Sequence, residues 1–345
     1  MPRLTARQLT ASLVVLGLVL LSSVSTAQSR TGALASEPAC QSLTPAAAGG
    51  PMPKDPNVIV LRWTGGANYE LAYRDNVILL DAYYDRMPGA PALGVSPQDL
   101  KRVTAILVGH AHYDHISSAA SVAQRTGATV VGASTVGEVV RKGGLAEKQI
   151  TTVKGGETLE YHGLTVKPVL GHHNVIPAEL MKKARELHDL IVQLKPLTEA
   201  EKSAASEITA RGSRDPRIIK EGTISYLLTF GNRFSLLYID SPGPVSQAQK
   251  QMMQQMGSID VVVIPYDVSV EAGLPIAMEY VRVFKPGLVL PGSHDGPPGV
   301  GAPMSMFPFF MNIREEFPKT KMISTIYRTP ICIDATTKDV YVAPY

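Results

Sequence analysis

From Val58 onward the apolar residues gather in short runs, each closed by glycine, proline, aspartate or asparagine. Val58–Trp63, Tyr69–Tyr73 and Val77–Asp81 are rich in β-branched and aromatic residues and break at Gly65-Gly66 and Asp75-Asn76. This is the pattern of antiparallel strands joined by tight turns. Val103–Gly109 reads as a buried strand ended by a turn residue. Strand and helix periods then alternate: a helix over Ile116–Thr126, a strand over Ala128–Val131, and a helix over Ser134–Lys142 that stops at Gly143-Gly144. Such alternation predicts an α/β fold in which crossovers cover part of a sheet.

Further strands are expected at Ile150–Val153, Thr158–Tyr161 and Leu164–Leu170, and a hairpin at Thr223–Phe230 and Phe234–Ile239 across Gly231-Asn232. A helix over Gln247–Met256, a strand over Ile259–Pro265, a helix over Ile276–Phe284 and a strand over Gly287–Leu290 follow. Residues 177–210 break this rhythm. Leu180, Ala184, Leu187, Ile191 and Leu194 recur at three- and four-residue steps, the stripe of an amphipathic helix ended by Pro196. A second helix starts after Thr198, with Glu201 placed to complete a capping box. This helical insertion is expected either to lie over a site as a lid, to form an oligomer contact, or to pack on the body without a role in substrate choice. Met304–Phe310 reads as core or as pocket lining.

The first 27 residues carry the marks of an export signal. Arg3 and Arg7 precede the apolar stretch Ala11–Leu21, which is too short for a comfortable membrane span, and Ser25-Thr-Ala27 is a small-residue cleavage site. The expectation is an exported protein, periplasmic or secreted, with no membrane span in its mature form; an uncleaved anchor is the alternative. Residues 28–56, rich in Ala, Pro, Ser and Gly without periodicity, read as a flexible leader. One large domain over 57–345 is expected to follow. Without Arg3 and Arg7, the 33 basic residues fall to 31 against 30 acidic ones. That balance gives no sign of a nucleic-acid footprint, and a small-molecule substrate is the expected partner, with oligomeric state open. Cys40 and Cys332 are the only cysteines. They either pair in an oxidising compartment or stay free.

The chemistry concentrates in His110-Ala-His-Tyr-Asp-His115, three imidazoles and a carboxylate at the end of an apolar strand. Neutral imidazole and carboxylate are the donors that suit zinc, iron or manganese. Alternation puts His110 and His112 on one side, where both reach a single metal, and the following turn lets Asp114 and His115 face a second. Of the remaining histidines, His162 and His188 read as surface or packing residues.

His-x-His-x-Asp-His at a strand end resembles the signature of the metallo-β-lactamase superfamily, and motifs downstream follow that family's order. The resemblance implies a four-layer αββα sandwich and two divalent metal ions, zinc first and iron or manganese otherwise. His173 of Gly171-His-His-Asn174 would complete the first metal's set, with His172 as its competitor. Asp240 of Asp240-Ser-Pro-Gly243 would bridge both metals, and His294 would join Asp114 and His115 on the second. Asp81 would support the site from behind, or simply cap its strand; Asp295 is a turn or supporting group. The Trp63-Thr-Gly-Gly66 element and the long gap from His173 to Asp240 are more similar to the branch of ascorbate-phosphate lactonases and N-acyl phosphatidylethanolamine phospholipases than to the β-lactamases themselves.

The resemblance implies a metal-dependent hydrolase that ionises a water between two cations to cleave an ester, lactone or amide bond. Asp114 and Asp240 are the candidate catalytic groups that orient the water or move its proton. Tyr113 and Tyr266 are candidates for oxyanion contact, with packing the simpler role. The alternatives are a phosphodiesterase on a phospholipid-like or nucleotide substrate, an iron-dependent oxidoreductase of the same superfamily, and a non-catalytic metal-binding protein.

Overall fold

The computed structural model describes residues 31–174, 196–231, 234–266, 270–295 and 305–344, with a few isolated positions between 178 and 190. Its strands are β1 Val58–Trp63, β2 Tyr69–Tyr73, β3 Asn76–Leu80, β4 Ala105–Leu107, β5 Thr129–Gly132, β6 Ile150–Thr152, β7 Leu159–Tyr161, β8 Leu164–Gly171, β9 Thr223–Phe230, β10 Phe234–Tyr238, β11 Val261–Pro265, β12 Leu288–Gly292, β13 Lys321–Met322, β14 Pro330–Asp334 and β15 Val340–Val342. They form one sheet ordered β15-β14-β1-β2-β3-β4-β5-β6 and another ordered β13-β12-β11-β10-β9-β8-β7. Each sheet is antiparallel in part and parallel where helices cross over: β3 to β6 in the first, β10 to β13 in the second.

Period-two alternation sorts the strand residues into three layers of core. Ile59, Leu61, Leu71 and Ile78 face Tyr226, Leu228, Phe234 and Leu236 between the sheets. Val58, Val60, Val77 and Leu79 point the other way, into a layer formed with Leu34, Ala39, Ala46 and Ala47 and with the helices Ala119–Thr126 and Ser134–Lys142. On the far sheet, Leu237, Val262 and Val289 pack beneath the helices Gln247–Met256, Val270–Phe284 and Phe307–Glu316. Each sheet therefore buries both faces, which requires an αββα sandwich.

Two differences from the sequence reading stand out. The stretch expected to be a flexible leader is ordered and packed from residue 31: Leu34, Ala39, Cys40, Ala46 and Ala47 belong to the core. A buried ion pair on β1 and β2 explains this. Arg62 Nη1 donates to Glu70 at 3.2 Å, and Nη2 donates to the carbonyls of Ala39 and Ser42. Glu70 accepts the backbone N–H groups of Ala46 and Ala47, both at 2.8 Å. Glu70 and Arg62 Nη2 thus find their partners in leader backbone, a pairing that composition does not reveal. The Cys40–Cys332 disulfide joins the same segment to β14, with Cα atoms 5.9 Å apart. The second difference is the helix expected over Ile276–Phe284, which begins at Val270 and carries Pro275 inside it.

Of the insertion, the first amphipathic helix lies outside the described residues, as do the export signal and His188. The second runs Glu199–Ala210 and opens with the Thr198–Glu201 capping box. Among the described residues no helix is long and apolar enough to cross a membrane.

Candidate metal centre

β4 ends at Leu107, and the chain then passes through Gly109 into the ligand turn, with the short helix Tyr113–Ile116 carrying Asp114 and His115. Gly109 is required by packing. Its N–H donates to Asp81 Oδ1 at 3.0 Å, its carbonyl accepts from Ile224 N at 2.9 Å, and a β-carbon there would collide with the Asp240 carboxylate.

Three ring nitrogens converge just beyond. His110 Nε2 lies 2.9 Å from His112 Nδ1, and His173 Nε2 lies 3.2 Å from each of them. His173 Nδ1 stands 2.5 Å from the Asn174 carbonyl, which can only accept, so its Nε2 carries a lone pair. His110 Nδ1 donates to Asp240 Oδ2 at 2.5 Å when that carboxylate is ionised, which leaves its own Nε2 bare as well. Only His112 has a proton to share. Burial pushes the pKa of His110 well down and that of His112 down to about 4, so both rings are neutral near pH 7. Converging lone pairs repel unless a cation lies among them. The triangle's edges fall just short of the roughly 3.3–3.4 Å expected between nitrogens of a tetrahedral zinc site.

On the other flank, His115 Nδ1 pairs with Asp81 Oδ2 at 2.6 Å, and its Nε2 lies 3.6 Å from Asp114 Oδ2. Asp240 Oδ2 stands 3.8 Å from His115 Nδ1 while bonding His110, so one carboxylate touches both flanks. Asp240 Oδ1 is buried without a hydrogen-bond partner in the structure. An orphaned carboxylate oxygen beside bare imidazole nitrogens is a donor set that fits divalent cations. Burial opposes charge on His115, but Asp81, Asp114 and Asp240 outweigh it and hold its pKa up at about 10. Burial likewise pushes Asp81 up, to about 6. The ionised pair is the state favoured near pH 7, because the Asp81 carboxylate accepts from Gly109 N, His115 Nδ1 and Tyr238 Oη. The surplus of acids demands positive charge at this flank, and a cation meets that demand.

The structure therefore brings together His110, His112, His173, His115 and Asp240, with Asp114 at the edge, and puts Asp81 behind His115 in a left-handed conformation at φ 60°. His172 points away, bonded to the Pro244 carbonyl. His294 belongs to neither group of converging ligand atoms, and its Nδ1 is buried without a hydrogen-bond partner. Its ring stacks on Trp63. Tyr266 packs on Phe309, with its hydroxyl buried and unpartnered, and Tyr113 packs against Tyr83. Tyr238 is a supporting residue the sequence reading missed; its signal is the two-residue step to Asp240, which places both on one face of the β10 edge. The segment just after the insertion reaches the site as well: Ser213 N donates to Ala111 O at 2.8 Å, and Gly212 lies against the Tyr113 backbone too closely to admit a β-carbon.

A family model for the beta-lactamase superfamily domain matches residues 76–274, more than half of the chain and every residue of this cluster. The chain belongs to the beta-lactamase superfamily. A metal-dependent hydrolase of the UPF0173 group from Thermoplasma volcanium is 31% identical over 112 residues, which cover 32% of this chain and 47% of that protein. The chain thus spans about half the length of the curated relatives it matches. Igni18, a metallo hydrolase from Ignicoccus hospitalis, superposes with a TM-score of 0.56 at 14% identity, covering 80% of this chain and 98% of its own. CmlA, a diiron β-hydroxylase from Streptomyces venezuelae, does so at 0.50 and 17%, covering 78% and 53%. At such identities the likeness concerns the fold, and this superfamily fold accommodates both kinds of protein.

Proposed function

We propose that this chain is a metal-dependent hydrolase that cleaves an ester, lactone or amide bond of a small molecule. Its centre would be held by His110, His112 and His173 on one flank and by His115, Asp114 and Asp240 on the other. The observation that carries the reading is the triangle of ring nitrogens, two of them obliged to present lone pairs. When bound, divalent cations supply Lewis acidity and bring the ionisation of water into the neutral range; the donor set suits zinc, with iron or manganese as alternatives.

The chain's own residues do the rest. Asp81 fixes the His115 ring through Nδ1 and so presents Nε2. Asp240, fully buried, fixes His110 and keeps one oxygen free for the centre. Asp114, with 29% of its side chain exposed, is the acid of the three that meets solvent and is placed to pass a proton outward. The segment after the insertion helix walls the ligand turn at Ala111–Tyr113 and limits what reaches it. Both cysteines are joined to each other, so neither serves as a nucleophile.

The disulfide and the Arg3–Leu21 pattern together support export to an oxidising compartment. Intact-mass measurement of protein recovered from the periplasm or medium tests this, with a start at Gln28 expected.

Metal analysis of protein purified without added zinc, then turnover of a lactone, a β-lactam and a bis-aryl phosphodiester with and without chelator, tests the function. Lactone or amide turnover lost to chelator and restored by zinc is expected. Turnover of the phosphodiester alone would reassign the chain as a phosphodiesterase, and oxygen consumption with bound iron would make it an oxidoreductase.

A further inference from the structure

Residues 211–217, between the insertion helix and β9, carry three arginines, and the fold occupies two of them. Arg211 Nη1 pairs with Asp85 Oδ2 at 2.5 Å, and Arg217 Nη2 pairs with Glu138 Oε2 and with Asp215 Oδ2, both at 2.7 Å. Arg214 stands between them with its side chain exposed, and among the described residues it makes no hydrogen bond and no ion pair. Its backbone is fixed all the same. Ser213 N donates to Ala111 O at 2.8 Å, Asp215 N to Ser213 Oγ at 3.1 Å and Arg217 N to Asp215 Oδ1 at 2.8 Å. Arg214 is therefore held one residue away from a contact with Ala111, which lies between the ring-bearing positions His110 and His112.

The neighbouring charges say which side of the centre this is. Burial pushes the pKa of the Tyr113 hydroxyl up, Asp114 adds to that push, and Arg214 and Arg86 pull the other way. Arg214 thus stands within electrostatic reach of Tyr113, on the side where Asp114 meets solvent. Arg86 is already committed to Asp295, 2.6 Å away. Arg214 is the cation left without an acid of its own beside the ligand turn, among the described residues.

We propose that Arg214 binds a carboxylate of the substrate, so that the bond cleaved belongs to a singly charged anionic ester, lactone or amide. The inference rests on the hydrolase reading above and adds the substrate class to it. A guanidinium stays charged at any working pH, and its planar fork matches the two oxygens of a carboxylate. One unpaired guanidinium balances one negative charge. A phosphate monoester carries about 1.5 to 2 charges near pH 7 and calls for a cluster of cations.

Zinc-reconstituted wild type, Arg214→Ala and Arg214→Lys are assayed on two esters with the same leaving group, 4-nitrophenyl hydrogen glutarate and its neutral methyl ester. The wild type is expected to favour the acid in kcat/KM, with a preference that shrinks as salt is raised. Arg214→Ala should cut that preference by about 10–100-fold, through KM rather than kcat, and Arg214→Lys should recover part of it. A preference unchanged in Arg214→Ala, a loss carried by kcat alone, or a wild type that favours the neutral ester would overturn the inference and leave the hydrolase reading standing. Calorimetric titration with glutarate and with inorganic phosphate reads the same site without turnover. Glutarate binding is expected to weaken by about 10-fold or more in Arg214→Ala. Glutarate bound equally by both proteins, or phosphate bound more tightly than glutarate through Arg214, would also overturn it. Glutarate binding that depends on Arg214, in a protein that turns over no ester, lactone or amide, would sink the hydrolase reading and keep the carboxylate site. The Arg214 side chain holds nothing in the fold, so neither replacement threatens folding.

Discussion

Gly109→Ala concentrates the structural argument in one methyl group. The new β-carbon would occupy the space of the Asp240 carboxylate. Neither side can yield easily. Gly109 is held through its N–H by Asp81 and through its carbonyl by Ile224, and Asp240 is held by His110. Overpacking of a closed core costs typically about 1–3 kcal/mol, and with both partners restrained the upper end, about 3 kcal/mol, is expected here. At roughly 2–4 °C per kcal/mol for a chain of this order of size, the melting temperature should fall by roughly 6–12 °C. Displacing Asp240 also releases the His110 ring, and loss of such a supporting partner weakens metal binding by about 10–100-fold. Differential scanning calorimetry and competition with a metal-sensitive dye read the two effects. Gly137→Ala is the control: its β-carbon would meet Thr152 Oγ1 at 3.4 Å, an ordinary contact, within the helix Ser134–Lys142. There alanine should stabilise by up to about 1 kcal/mol. A Gly109→Ala protein that melts with the wild type and keeps its metal affinity would refute the geometry on which the site is built.

Asp81→Asn removes the anionic partner of His115 Nδ1, and metal affinity at that flank should drop by about 10–100-fold while the three-histidine flank is spared; uniform loss at both flanks would contradict the separation drawn here. Tyr238→Phe deletes one donor to the same carboxylate and should cost about 1–3 kcal/mol of stability in urea unfolding, with metal content unchanged. Glu70→Ala leaves Arg62 charged in a site with no solvent exposure, and a loss of about 3–5 kcal/mol is expected. Limited proteolysis should then cut within residues 31–56, whereas resistance equal to the wild type would mean that the pair does not hold this segment. Cys40→Ser with Cys332→Ser opens a bridge spanning 292 positions and should cost about 2–5 kcal/mol, read by calorimetry against the oxidised protein.

Much of the architecture was legible along the chain because its causes are local. β1, β2 and β9 follow from β-branched or aromatic runs between turn residues, and Thr198 with Glu201 announces a helix start whose two hydrogen bonds lie three residues apart. The ligand turn belongs to the same class, since His110, His112, Asp114 and His115 are neighbours in sequence before they are neighbours in space. Long-range partner choice is different. The pairing of Arg62 with Glu70 and with leader carbonyls depends on β1 and β2 lying side by side under residues 39–47, so a stretch with the composition of a loose leader is core. Between the adjacent His172 and His173, only the path of the chain out of β8 against Asp240-Ser-Pro-Gly243 decides which ring turns inward. His294 carries a ligand's chemistry at a strand end, and the left-handed Ser293 and the clamp on Asp295 lay its ring flat on Trp63.

The sequence alone determined which residues are able to bind a cation and the strand ends that carry them, because donor chemistry and hydrophobic period are properties of short segments. Tertiary structure decided which of those donors meet, because the direction of a side chain depends on backbone handedness and on contacts with residues far away in the chain.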